Sequence, residues 1–274
     1  MTNLLRRLVY SNLWVALAAP SVLYAHSVTD DSEFPTEMYV FVFSAVLFTY
    51  NLQRLYRAET YLSPELLTRH RWIVKNSRFL WIITLSAILP MLYCIPRLPL
   101  RFLLLIIPAG FLSALYFLPL PHFRKRLRDV PLIKIPLVAL TWAWVLIVAP
   151  VQGHMANSFP FFLFEFLLFF AVTLPFDLRD KAHDQKSGTL TWAIRLGTKC
   201  TKRITLIFVA LSLIPLCVYY STNALIPLLF SAGLTGIILA GVNRQRNDLY
   251  YGFLLDGSLV MQGPMVWLCG NLVC

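Results

Sequence analysis

The stretch Phe102–Leu118, FLLLIIPAGFLSALYFL, decides the fold. It contains no charged residue, and its apolar side chains do not alternate with polar ones. The stretch Ile204–Tyr219, ITLIFVALSLIPLCVY, reads the same way. A run of about 20 such residues crosses a hydrocarbon layer of about 30 Å as a helix. Within lipid the backbone has to satisfy its own hydrogen bonds, which leaves helices or a closed barrel. A barrel strand alternates apolar and polar over about ten residues. Solid blocks therefore predict an all-α membrane protein.

Working outward, comparable blocks fall at about 8–25, 37–56, 79–96, 100–119, 131–150, 158–176, 204–221, 223–242 and 250–270. Pro96 and Pro99, Pro119 and Pro121, the run from Pro150 to Pro160, and Asn223 punctuate the joints. No internal repeat or long polar linker interrupts them, so residues 1–274 read as one membrane domain of about nine transmembrane helices. The composition agrees: 58% of residues are hydrophobic and only 14% charged, too few to cover a soluble core of this size.

The basic residues test the helix count. With the N-terminus inside and the C-terminus outside, 22 of the 24 Lys and Arg fall in inner segments. Only Arg97 and Arg101 lie outside, each beside a helix end where it can snorkel. The first outer loop holds Asp30, Asp31, Glu33 and Glu37 with no Lys or Arg. The net charge of +11 is thus a topological signal rather than a nucleic-acid footprint. Two inner loops, about 57–78 and 177–203, are too long to be simple turns. Arg6 and Arg7 ahead of Leu13–Ala25 imitate a signal peptide, but Leu23 occupies the position where cleavage needs a small residue, so a retained first helix is expected. Cys94, Cys200, Cys217, Cys269 and Cys274 match no metal or redox spacing and read as small apolar residues.

The chemistry concentrates in Phe176-Asp177-Leu178-Arg179-Asp180-Lys181-Ala182-His183-Asp184. Three of the chain's 13 acidic residues fall here, at the inner end of the sixth block. On a helix Asp180 lies about 60° and Asp184 about 20° from Asp177, so the three carboxylates share one face. They repel one another unless a cation sits against them. Mg²⁺ binds one or two carboxylates and bridges to phosphate oxygens. A solvated helix end stitched by Arg179, Lys181 and Lys186 accounts for the same residues.

Gly188, Thr191 and Gly197 follow, giving Asp180-x3-Asp184-x3-Gly188-x2-Thr191-x5-Gly197. This resembles the second aspartate-rich motif of the UbiA family of intramembrane prenyltransferases. The segment Leu115-Tyr116-x2-Pro119, a basic run, then Pro131 and Lys134, looks like that family's Tyr–Pro–basic segment. The resemblance implies a nine-helix bundle that transfers a prenyl group from an isoprenoid diphosphate to an acceptor, often aromatic, with Mg²⁺ as cofactor. It implies catalytic and metal-binding roles for Asp177, Asp180 and Asp184, and diphosphate contacts from Tyr116, Lys134 and Lys181. Its partners are the isoprenoid diphosphate, a lipophilic or aromatic acceptor and membrane lipid, and its setting a bacterial inner membrane with cytoplasmic functional loops.

One segment departs from the pattern. Family members carry Asn-Asp-x2-Asp-x3-Asp at the inner end of the second helix. Here the stretch is Asn51-Leu52-Gln53-Arg54-Leu55-Tyr56-Arg57-Ala58-Glu59. Asn51 fits as a diphosphate contact and Glu59 falls at the third acidic position as a metal ligand, but Leu52 and Leu55 replace two aspartates. Arg54 either pairs with phosphate oxygens, which a guanidinium does bidentately, or pairs with Asp177 or Asp180 and locks an empty site. The departure also raises a second reading, a non-catalytic relative that binds a prenyl lipid or a partner protein. A transporter is disfavoured, since no paired broken segments occur in matching halves.

Glu165 lies mid-block, about three turns before Asp177, either as an acceptor-orienting base or as a packed, protonated residue. Asp256 and Gln262 read as structural, and His183 as a loop residue.

Overall fold

The computed structural model describes residues 2–58, 68–119, 126–186, 188–220, 222–243 and 246–273. The described residues contain helices and no strand. In chain order the α-helices are α1 Thr2–Tyr10, α2 Leu13–Thr29, α3 Thr36–Ala58, α4 Thr68–Lys75, α5 Ser77–Ser86, α6 Ile88–Cys94 and α7 Leu100–Phe117. Then come α8 Lys134–Ala143, α9 Phe159–Lys186, α10 Trp192–Tyr219, α11 Thr222–Ala240, α12 Asp256–Val260 and α13 Gln262–Val273. Wider π-turns extend α8 over Trp144–Val148 and precede α12 over Tyr250–Leu255.

Four helical stretches are long and apolar enough to cross a membrane: Ser77–Arg97, Leu100–Phe117, Phe159–Ala182 and Trp192–Tyr219. A fifth is the pair Leu4–Tyr10 and Leu13–Thr29, bent by 65°. The protein is therefore a multi-pass, all-α membrane protein. The remaining sequence blocks are also helical. Lys134–Val148 and Leu225–Ala240 are apolar but shorter. The C-terminal part of α3 carries Asn51, Gln53 and Arg54.

The stretch 177–203, expected as a loop, is mostly helix. α9 runs on to Lys186 and α10 begins at Trp192. The helix survives its run of charges because they are paired: Asp177 with Lys134, and Asp180 with Arg179.

α9 is central. It packs on α8, α10 and α11, and buries Phe161, Phe164, Leu168 and Phe169 completely or nearly so. Phe170 stacks on Phe208 of α10 at 4.2 Å between centroids. α2 packs on α3, α12 and α13. Ser21 donates to the Val260 carbonyl at 2.7 Å and accepts from the Gly263 amide at 2.8 Å. Buried polar side chains across membrane helices supply the specificity that apolar contact in lipid lacks.

At the end of the bundle away from Asp184, one carboxylate joins three helices. Asp30, at the C-cap of α2, accepts from Ser158 Oγ and from Tyr220 Oη at 3.1 Å. His26 Nε2 lies 3.2 Å from Asp30 and 3.2 Å from Ser158. Its Nδ1 meets the Leu146 carbonyl at 3.1 Å, and its ring stacks on Phe161 at 5.2 Å. Every polar atom of Asp30 is used, so this cluster is a clasp. Replacing Asp30 with Ala strands His26, Ser158 and Tyr220 together. The expected cost is about 3 kcal/mol, from roughly 1–3 kcal/mol per orphaned group. It is read as a lowered melting temperature of the detergent-solubilised protein, and an unchanged melt discounts the clasp.

Candidate functional site

At the other end, the C-terminal halves of α3 and α9, the N-terminus of α8, α4 and α12 enclose a cavity of about 230 Å³. Its polar lining includes Arg54, Arg69, Arg128, Lys134 and Arg179 with Asp180, Asp184, Asp248 and Asp256. A second, apolar groove of about 200 Å³ runs between α3, α7 and α8. Tyr50, Gln53, Tyr116, Val138 and Trp142 line both spaces. Trp142 Nε1 donates to Tyr50 Oη at 2.9 Å, and its ring lies 5.1 Å from Phe169. An aromatic collar thus stands where a charged chamber meets an oily one.

Local sequence explains the placement. Asp184 lies in the last turn of α9, which stops at a chain reversal: the Thr189 amide bonds the Asp184 carbonyl at 3.0 Å. Gly188 takes φ +70° there, and Gly197 takes φ +76° where α10 kinks. Both glycines of the motif are therefore required by left-handed backbone rather than by lack of room. Trp192 Nε1 donates to the Leu132 carbonyl at 3.0 Å, fastening the approach to Lys134 against the segment after Asp184.

Each expected site residue can now be placed. Arg54, Tyr116, Lys134, Asp180 and Asp184 converge on the cavity. Asp177 is fully buried behind it and receives Lys134 Nζ at 2.7 Å. Asp180 is held bidentately by Arg179, at 2.7 and 3.0 Å. The three carboxylates do not meet at one point, and no group of three or more His, Cys, Asp or Glu suited to a metal occurs among the described residues. Asn51 is turned away: it accepts from Asn12 Nδ2 at 2.6 Å, where α1 bends into α2. Lys181 does not line the cavity. Glu59 lies outside the described residues. Glu165 is buried beside Gln262 and does not line the cavity either.

Arg54 faces the cavity without joining the aspartates. Nη1 donates to the Tyr10 carbonyl at 3.4 Å, and Arg54 makes no ion pair among the described residues. Sequence reasoning missed Arg69, Arg128, Arg179, Asp248 and Asp256. Asp256 did give a signal, as an ionisable residue inside an apolar segment. Arg69 and Arg128 were counted as topological charge.

Among the described residues the α9 side of the cavity suits one Mg²⁺. This ion needs one or two carboxylates, with substrate phosphate and water completing the shell; Asp180 and Asp184 supply them. The matching place on α3 offers Leu52 and Leu55, which have no donor atom.

Comparison with solved structures shows the same fold. A UbiA homolog from Archaeoglobus fulgidus bound to GPP and Mg²⁺ superposes with a TM-score of 0.66 at 13% identity, covering 95% of this chain and 99% of that one. The same homolog bound to DMAPP and Mg²⁺ gives 0.63 at 13% identity, over 96% and 98%. An apo UbiA homolog from Aeropyrum pernix K1 gives 0.64 at 14% identity, over 94% and 97%. Among curated proteins no sequence matches. The sequence model of the UbiA prenyltransferase family matches residues 64–250, more than half of the chain, and this protein belongs to that family.

Proposed function

We propose that this protein transfers a prenyl group from an isoprenoid diphosphate to a lipophilic or aromatic acceptor within the membrane, with Mg²⁺ at Asp180 and Asp184. The observation that carries this reading is the joined pair of spaces, a charged chamber opening through Tyr50, Tyr116 and Trp142 onto an apolar groove. A prenyl diphosphate has the same two-part chemistry. The GPP- and DMAPP-bound Archaeoglobus fulgidus relatives support it.

In this reading Lys134, steadied by Asp177, and Arg128, 5.6 Å above the Tyr116 ring, face the diphosphate. The bound Mg²⁺ would neutralise charge on the leaving diphosphate. As the allylic C–O bond breaks, cationic character develops beside the collar, where the Tyr50, Trp142 and Phe169 rings offer their electron-rich faces. The acceptor then forms the new bond to that carbon and gives up its proton to the departing diphosphate, which leaves with the C–O electron pair. Asp177 acts through Lys134, and each Asp180 oxygen, while accepting from Arg179, keeps a lone pair for the ion. The bidentate Arg179–Asp180 clamp is also what favours the second reading, a non-catalytic binder of a prenyl lipid or partner protein.

The same proposal takes residues 1–274 as one domain of nine spans in a bacterial inner membrane, N-terminus in and C-terminus out, with the cavity cytoplasmic. Cys200 is exposed near the start of α10 and reports on this. With Cys200 as the sole cysteine, a membrane-impermeant maleimide should label inverted vesicles and spare intact cells. Labelling of intact cells reverses the orientation.

For the reconstituted protein, Mg²⁺-dependent diphosphate release is expected with at least one prenyl donor and acceptor. Asp180→Asn and Asp184→Asn should each reduce it at least about 100-fold, the scale of losing a charge-stabilising group; Asp184→Asn should leave the melt unchanged, whereas Asp180→Asn, which strips Arg179 of its paired charge, should lower it. Inactive wild type that still binds prenyl diphosphate supports the non-catalytic reading, and equal activity of the variants removes these residues from the site.

Burial, with help from Asp180 and Asp177, raises the Asp184 pKa above its ordinary 3.8. As pH falls, Asp184 takes up its proton, and so loses affinity for a cation, before an ordinary aspartate does. The apparent Mg²⁺ requirement should therefore rise on acidification at a pH above 3.8. Asp184→Asn should flatten that dependence, measured as the Mg²⁺ concentration giving half-maximal binding.

A further inference from the structure

We infer that Arg54 and Arg69 hold the diphosphate at the place where the first aspartate motif would hold a metal, so that this chain binds prenyl diphosphate without a second divalent ion. The inference rests on the prenyl diphosphate reading above and concerns how the anion is gripped.

Three observations carry it. First, the described part of the α3 segment, residues 51–58, offers a metal no carboxylate. Leu55 is buried, 5% exposed, and packs with Ile73 of α4 and Leu80 of α5, with Trp72 against them. A side chain committed to that contact has nothing to offer a cation. Second, that contact seats α4, and α4 delivers Arg69 to the cavity wall. Trp72 further packs edge-on against Tyr10 at 5.7 Å, and the Tyr10 carbonyl receives Arg54. Leu55, α4 and the two arginines thus form one assembly. Third, Arg54 and Arg69 both line the cavity and make no ion pair among the described residues. Arg69 Nε is buried and lacks a hydrogen-bond partner, as does Nη1 of Arg179 across the cavity.

The Arg69 and Arg179 guanidinium groups, turned to one buried space, repel each other. Burial and the charge of Arg179 lower the Arg69 pKa to about 10. An anion relieves that repulsion, and guanidinium groups match phosphate oxygens bidentately. The α9 side of the cavity keeps Asp180 and Asp184 for one ion, while the α3–α4 side presents cations of its own.

The test is binding of geranyl diphosphate to the full-length protein in nanodiscs, by calorimetry, in EDTA and in Mg²⁺. Wild type is expected to bind in EDTA, within about tenfold of its affinity in Mg²⁺. Arg54→Gln and Arg69→Gln should each weaken EDTA binding by about 10- to 100-fold, the range for losing a charge-assisted contact. Arg69→Lys should recover part of the loss, which separates charge from packing at α4. Wild-type binding that vanishes in EDTA and returns with Mg²⁺, unaffected by the arginine variants, overturns the inference and leaves the prenyl diphosphate reading standing. No binding in either condition overturns both. A further readout is Leu55→Asp: an aspartate there should lower the melting temperature and weaken EDTA binding. If that variant melts normally and gains a second Mg²⁺-dependent phase, the inference also fails.

Discussion

A charge buried in a membrane bundle has to find a partner, and this protein meets that constraint differently at its two ends. Around Asp30 the account closes within the chain. His26, Ser158 and Tyr220 meet one carboxylate, and four segments distant in sequence are tied together. Around Asp180 it does not close. Asp177 Oδ2, Arg69 Nε and Arg179 Nη1 are buried and lack hydrogen-bond partners. Orphaned buried polar atoms are costly, and those on Arg69 and Arg179 belong to side chains that line the cavity. The polar chemistry is similar at both ends; the degree of satisfaction separates a clasp from a site.

The fold was largely legible because lipid permits so few backbone solutions. Phe102–Leu118 and Ile204–Tyr219 admit only helix; α7 matches its block closely, and α10 covers its block after starting at Trp192. The continuation of α9 to Lys186 was not legible from apolar periodicity, since the pairing that steadies it comes from Lys134, 43 residues from Asp177. Periodicity sees one segment at a time, and an ion pair across that distance leaves no trace in it.

The site was legible only where several of its residues share a segment. Asp180 and Asp184 sit one turn apart on α9, and Arg54 lies beside a recognisable asparagine. Arg69 and Asp256 reach the same cavity from α4 and α12, and no local pattern joins them to α9. Asn51 shows the opposite error. Its type and position suited a phosphate contact, yet it accepts a hydrogen bond from Asn12 at the α1–α2 bend and serves there as a structural partner. A buried asparagine answers whichever polar group the fold brings nearest.

The altered first motif gains meaning from the same logic. Counted residue by residue, Leu52 and Leu55 are missing ligands and nothing more. In the fold, Leu55 is a contact, and it positions the helix that carries Arg69. An aspartate at that position needs solvent or a metal, and it would weaken the packing of α4 that brings the guanidinium in. The two ways of neutralising a diphosphate, cation on carboxylates or fixed arginines, therefore exclude each other at this position. Arg54 belongs to the second by its distance from the aspartates and its seat on the Tyr10 carbonyl. On the α9 side the carboxylates remain and no such exclusion operates, so the cavity combines both solutions, one on each wall.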